Sequence, residues 1–324
     1  MDPYRQQISV IEPIGLAFNC VKAILFRPFD IERWFAIGFC AWLASLGSGS
    51  GSGGGSGGRI EKNVQSLNDL NRSDIEAYLY NVKEFIIEHL IWIVPLSITV
   101  IALSLGIWLL LLWLSSRGRF MFLHCVTTNI AEVKAPWYGY KVCAHSLLLF
   151  RVTFSLVSTL LFAGYVALNL LLIWPQLNGP PLNILWTILM LLPLALVLAC
   201  ASGVISTFTN DFVTPIMRLR SQSCVAAWRE FLKLFSSHLG TFFLYLFFKT
   251  ILNIAIMSIL VIAGLVTCGC ACCFMSIPFI GTVLLLPVSV FKRSYSLLYL
   301  RQFGSAYDSF AVNTSTASEP QISS

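Results

Sequence analysis

Long apolar stretches separated by short polar segments dominate the chain, and this pattern predicts membrane-spanning helices. A helix needs about 20 residues to cross the hydrocarbon layer of a membrane. The three clearest stretches are longer than this: Leu90–Leu114, Leu147–Ile173 and Ile184–Phe208. A fourth stretch follows the helix break at Ser236–Gly240 and is interrupted only by Lys249 and Asn253. These four stretches predict four spans.

Two further segments extend the prediction to six spans. Arg33–Leu46 is apolar but shorter than a full crossing, so it predicts either a short span with local bilayer thinning or a helix that enters partway. We favour the short span. Phe274–Leu300 predicts the last helix. The expected fold class is all-α: a polytopic membrane protein with six transmembrane helices.

The segment before the fourth stretch is amphipathic at helical spacing. Its apolar face carries Val225, Trp228, Leu232 and Phe235, and its polar face carries Arg229, Glu230, Lys233 and Ser237. A basic amphipathic helix that leads into an apolar span is typical of a helix lying at the membrane surface. We therefore expect Trp228 and Phe235 to bury at the cytoplasmic interface while Arg229 and Lys233 meet lipid headgroups.

Similar pieces precede the other outward-going helices and predict an internal repeat. Aligned on their aromatic residues, the three pieces read AFNCVKAILF, PWYGYKVCAHSLLLF and AWREFLKLF. Each would form an interfacial helix on the cytoplasmic side, followed by an outward span and a return span. Such repeats usually pack around a pseudo-symmetric centre.

Composition shifts divide the chain into four parts. Residues 1–46 predict an interfacial helix and the short first span, residues 47–89 a Gly/Ser-rich linker and an outer polar helical segment, residues 90–304 the helical membrane domain, and residues 305–324 a disordered tail. The low-complexity tract Gly47–Gly58 is either a flexible tether or a loop that binds an anion. No Gly-Lys-Ser/Thr follows it, so we favour the tether.

Charge sets the predicted orientation. Only 11% of the residues are charged, 57% are hydrophobic and the mean hydropathy is +0.78, which excludes a water-soluble fold for most of the chain. Without a nucleic-acid-binding motif, the net charge of +6 indicates basic cytoplasmic loops rather than a nucleic-acid partner. With both termini in the cytoplasm, most basic residues lie inside, and the outside receives only Arg59, Lys62, Arg72 and Lys83, which acidic residues offset. We predict a multi-pass protein of the cell (inner) membrane.

Lys249 is the sharpest single candidate for function because a lysine within a span is costly. It could form a polar pocket for an anionic group such as a lipid phosphate, or it could snorkel to the headgroups or bond backbone carbonyls. The full set of candidate anion or lipid contacts is Lys249, Asn253, Asn169, Lys292 and Arg293. We expect no acidic residue within a span, since Asp211 falls just past the end of the stretch Ile184–Phe208, so Lys249 should lack a counter-charge.

Other chemistry has weaker support. The cluster of Cys268, Cys270, Cys272 and Cys273 could bind a metal or form a disulfide, but its spacing favours small residues at a helix turn. No nucleophile, base or cofactor motif can be assembled. We predict no enzyme activity, no cofactor and no metal. The expected partners are membrane lipids and, as a candidate, another membrane protein.

Two stretches carry a family resemblance. AAWREFLKLFSSHLGTFFLY and IPFIGTVLLLPVSVFKRSYSLLYLRQFG resemble a group of uncharacterised bacterial six-span integral membrane proteins. That group is similar to the membrane domain attached to some glycerophosphodiester phosphodiesterases, and FRPFDIERWFAIGFCAWLASLG looks like the N-terminal pattern of one subgroup. The resemblance implies six helices and a membrane location but no activity.

The function that follows is a non-enzymatic scaffold, partner subunit or lipid-associated module. The alternative is a transporter or channel for an anionic or lipid-like solute, with Lys249 in a polar intramembrane pocket.

Overall fold

A computed structural model describes residues 9–27, 29–46, 90–173, 181–267 and 277–311, and every regular element in these ranges is helical. The predictions for Gly47–Gly58, the outer polar segment and the cluster Cys268–Cys273 lie outside the described residues. The helices are α1 (Glu12–Leu25), α2 (Ile31–Ser45), α3 (Leu90–Thr128), α4 (Lys134–Gly139), α5 (Lys141–Ile173), α6 (Pro181–Phe208), α7 (Thr214–Arg220), α8 (Cys224–Ser237), α9 (Leu239–Val266), α10 (Pro278–Leu284) and α11 (Leu286–Arg301).

Four helical runs in the described ranges are long and apolar enough to cross a membrane. They are Val94–Thr128, Lys141–Ile173, Trp186–Arg220 and Leu239–Val266. Each overlaps one of the four long stretches predicted from hydropathy. The third run joins α6 to α7 through a π-helical turn, Thr209–Val213, so the helix continues past the predicted end at Phe208.

The protein core lies at one end of these runs. We call this end the base: it contains residues 115–128 of α3, 141–150 of α5, 208–220 of α6–α7, and 286–300 of α11. Its centre is an aromatic cluster in which the Phe212 and Phe231 rings stack at 5.4 Å and Tyr245 lies 4.6 Å from Tyr299. Away from the base, hardly any residue of the apolar stretches is buried.

The N-terminal and C-terminal parts of the described chain pack against each other in the base. Helix α1 buries a stripe at helical spacing, Pro13, Ala17, Val21 and Ile24, and this helix packs on α11. The Ser9 amide donates to Gln302 Oε1 at 2.7 Å, and Tyr295 Oη donates to the Val10 carbonyl at 3.2 Å. Residues almost 300 positions apart therefore share one core.

The predicted first span forms a helix of about the expected length, but this helix packs beside the base. Helix α2 has 15 residues, about 22 Å of helix. Arg33 donates to the Asn129 carbonyl at 2.6 Å, and Ser115 donates to the Ala44 carbonyl at 2.9 Å. These bonds place α2 antiparallel to residues 115–129 of α3, beside the base rather than beside the apolar half of α3.

The last predicted span is also different. The segment Phe274–Leu300 is interrupted at Leu285, which separates the seven-residue α10 from α11. Most of α11 is buried in the base, whereas a lipid-facing span would be exposed. Helix α10 packs on α2, where Trp34 Nε1 donates to the Val283 carbonyl at 3.0 Å. The structure thus supports four spans and leaves the fifth and sixth as predictions.

The three predicted repeat units differ in the structure. The second surface helix, α4, has only six residues, whereas α1 and α8 have 14 each.

The described chain is still folded at the start of the predicted tail, because Ser305–Tyr307 forms a 3₁₀ turn and Ser309 is buried. The tail can begin only after Ala311.

Candidate functional site

Lys249 has a counter-charge, contrary to the sequence-based expectation. Its ammonium forms a salt bridge with the carboxylate of Asp211, which is 7% exposed. The hydroxyl of Tyr245, one turn before Lys249 on α9, donates to the same carboxylate oxygen at 2.9 Å. The prediction that no acidic residue lies within a span is therefore wrong, and Lys249 neither snorkels nor depends on backbone carbonyls.

The π-helical turn Thr209–Val213 places Asp211 inside the bundle. One extra residue in a helical turn interrupts the regular bonding ladder, and such turns often occur at functional sites. Here the Thr214 hydroxyl donates to the Thr209 carbonyl at 2.8 Å, within the turn. Asp211, expected at a helix end, instead lies within a continuous helical run that ends only at Arg220.

Arg293 completes this cluster from α11. Its side chain is only 6% exposed and donates from Nη1 to the Asn210 carbonyl at 2.5 Å. Its Nε and Nη2 groups are buried without a hydrogen-bond partner in the described part of the chain. The charge of Asp211 lies close enough to stabilise this guanidinium electrostatically. We call Asp211, Tyr245, Lys249 and Arg293 the Asp211 cluster.

The structure brings together three of the five predicted anion or lipid contacts. Lys249 and Arg293 belong to the Asp211 cluster, and the exposed Lys292 interacts electrostatically with Lys249 and Asp211. Asn169 instead donates to the Tyr165 carbonyl of its own helix at 2.8 Å. Asn253 lies one turn beyond Lys249 on a shallow groove along α9.

The predicted interfacial helix α8 has a rotated buried face. Cys224, Ala227 and Phe231 are buried, whereas Val225 is 55% and Leu232 is 50% exposed. The reason is the aromatic cluster, since Phe231 packs between Phe208 and Phe212 and fixes which side of α8 turns inward.

The four predicted interfacial residues divide into two pairs. Trp228 and Phe235 are half-buried against protein, with the Trp228 ring 5.9 Å from Phe150 and the Phe235 ring 5.6 Å from Phe208. Arg229 and Lys233 are exposed on the opposite side. Contact of Arg229 and Lys233 with headgroups stays a prediction.

A second polar cluster joins three elements at the surface of the base. Arg218 donates to the hydroxyls of Tyr140 (3.1 Å) and Thr127, and its Nη2 lies 3.4 Å from His124 Nδ1. These bonds link α7 to α3 and to the end of α4. Among the described residues, no three His, Cys, Asp or Glu side chains gather as a metal site would require.

These features define an all-helical protein with several apolar helices that can cross a membrane. Residues 8–286 match one family model, a family of unknown function (DUF7544). The chain belongs to this family. No curated protein and no solved structure matches it. None of these comparisons matches a glycerophosphodiester phosphodiesterase, so the resemblance to the membrane domain of those enzymes stays a prediction.

Proposed function

We propose that the protein is a non-enzymatic membrane scaffold that works in close association with lipids. One observation carries this proposal: the apolar stretches of the four long helices are almost entirely uncovered by the rest of the chain. Surfaces such as those of Leu160, Leu171 and Leu196, each more than 60% exposed, need hydrocarbon or another membrane protein around them.

The base supports a structural role for the buried charges. Asp211 receives its hydrogen bonds from Tyr245 and Lys249 of the neighbouring helix, and Arg293 bonds the backbone of Asn210. Such pairing fixes how α6, α9 and α11 pack. It suits a rigid platform from which the spans project.

The transport alternative gains one supporting observation. Sequence reasoning counted against it because coupling to protons or sodium uses acidic residues within spans. Asp211 supplies such a residue beside Lys249, on a helical run long enough to cross the membrane.

Reconstitution separates the two candidates. Protein extracted with its surrounding lipid should retain phospholipid, and removing that lipid in detergent should lower the thermal unfolding midpoint by several degrees, because the exposed spans lose their solvent. In sealed vesicles we expect no uptake of anionic solutes above that of empty vesicles. Uptake that requires Lys249 and disappears in Lys249→Ala, in a variant that still folds, would instead support the transporter.

We also propose that the base faces the cytoplasm and that both termini lie there, in the inner membrane. The supporting argument is the positive-inside rule, since Arg117, Arg119, Arg218 and Arg220 all belong to the base.

Reporter fusions test this orientation. A reporter placed after Arg301 should be active in the cytoplasm, and one placed within residues 59–88 should be active only outside. A reporter after Ile173, at the far end of α5, should also read outside and serves as an independent check. The reverse pattern at Arg301 would contradict the orientation.

A further inference from the structure

A polar cavity lies between α3, α5 and α6, next to the base and separate from the Asp211 cluster. Its volume is about 300 Å³, within the range of ligand-binding pockets, and it is open on one side. The lining combines two arginines, Arg119 and Arg151, with hydroxyl side chains and the aromatic rings of Trp108 and Phe154.

Arg119 is a buried cation without a hydrogen-bond partner among the described residues. Its side chain lines the cavity and is only 7% exposed. Two other cations, Arg151 and Arg293, repel it electrostatically. The carboxylate that attracts it belongs to Asp211, which already binds Lys249 and Tyr245. Burying a guanidinium in this way is costly unless an anion neutralises it.

The cavity also offers hydroxyl groups that suit an anion. Ser155, Ser158 and Thr159 on α5 and Ser206 on α6 line it. Arg151 is held in place by the hydroxyls of Ser115 and Ser116, to which Nη1 donates at 3.1 and 3.3 Å. Two guanidinium groups and several hydroxyls provide the charge-assisted bonds that a phosphate accepts.

The walls indicate how the phosphate is carried. Along α3, Trp108 and Leu112 lie seven to eleven residues before Arg119, or about 10–16 Å deeper into the apolar half of the helix. The cavity therefore carries its two arginines at the base, while toward the spans the apolar side chains of Trp108 and Leu112 on α3 lie across from the hydroxyl groups of α5. A ligand with a phosphate at one end and hydrocarbon at the other matches both parts.

We propose that this cavity binds a phosphate group carried by an anionic membrane phospholipid, with Arg119 and Arg151 on the phosphate. The inference rests on the proposed lipid association and names its site and ligand class. The lipid lies in the leaflet next to the base, with its headgroup at Arg119 and an acyl chain along Trp108.

Lipid titration of the purified full-length protein tests the proposal. We expect phosphatidylglycerol, added to delipidated protein in detergent, to raise the thermal unfolding midpoint more than phosphatidylcholine does. Arg119→Met, which keeps the volume and removes the charge, should bind phosphatidylglycerol at least tenfold more weakly. Lys134→Met, at the exposed start of α4, should bind it as the wild type does.

A second variant keeps the test open if Arg119→Met does not fold. Ser158→Leu fills the cavity without touching a charge, and it should also abolish the preference for phosphatidylglycerol. Wild-type affinity in Arg119→Met or in a folded Ser158→Leu would overturn the proposal.

Two further outcomes separate the ligand's source from the protein's role. Protection by inorganic phosphate alone, with none from phosphatidylglycerol, would overturn the lipid assignment. If native mass spectrometry finds phospholipid equally retained by wild type and both variants, lipid association stands and this site falls. If the wild type retains no phospholipid and is unaffected by delipidation, the proposed function fails as well.

Discussion

Replacing Asp211 with leucine should destabilise the protein by about 3–5 kcal/mol, the range for breaking a buried ion pair. The change leaves Lys249 without its counter-charge and leaves Arg293 and Arg119 without the nearby carboxylate. Lys249→Met should cost less, because Tyr245 still donates to Asp211 and Arg293 still lies close. The measurement is the midpoint of unfolding in detergent, monitored by tryptophan fluorescence.

A double-mutant cycle makes this expectation specific. Asp211→Leu combined with Lys249→Met removes the whole pair, and replacing a pair by apolar groups of similar size is often nearly neutral. The double variant should therefore be more stable than Asp211→Leu alone. Lys233→Met on the exposed side of α8 controls for the loss of a lysine. Strictly additive losses would show that Asp211 and Lys249 are not coupled.

Adding one methyl group at Gly118 should separate α2 from α3. A Cβ atom there would lie 2.5 Å from the Ala44 nitrogen and 2.6 Å from the Leu43 carbonyl carbon, which are backbone atoms that cannot turn aside. Overpacking of this kind costs about 1–3 kcal/mol. Gly118→Ala should therefore lower the unfolding midpoint by several degrees, and Gly118→Leu should lower it further.

Gly106 provides the matched control on the same helix. No atom lies within 4 Å of its would-be Cβ. Gly106→Ala should raise stability by up to about 1 kcal/mol, since alanine favours helix over glycine. Equal effects at the two positions would contradict the close approach of α2 and α3.

Hydropathy was sufficient to locate the four long helices but not where they end. The predicted stretch Leu90–Leu114 ends where the polar, glycine-containing segment Ser115–Arg119 begins. This segment remains helical since Ser115 bonds the Ala44 carbonyl and Gly118 allows α2 to approach. Both are tertiary contacts between α2 and α3, so the local sequence contains no sign of them.

The Asp211 cluster shows the same limit for the site. Lys249 was recognisable because a cation in an apolar stretch is costly, yet its partner lies 38 positions away on another helix. A usable signal did exist: Asp211 is the only acidic residue between Glu132 and Glu230. Arg119 was not among the candidate residues predicted from the sequence, and only the packing of α3, α5 and α6 reveals the cavity that it lines.

The pairing of α1 with α11 also sets the timing of folding during synthesis. The four long helices can enter the bilayer one after another as the ribosome releases them, because each satisfies its own backbone bonds. The base cannot close until residue 302 has been made, since Ser9 and Val10 bond to Gln302 and Tyr295. Until then the apolar stripe of α1 lacks the helix on which it packs. Insertion and folding are therefore separate events in this protein.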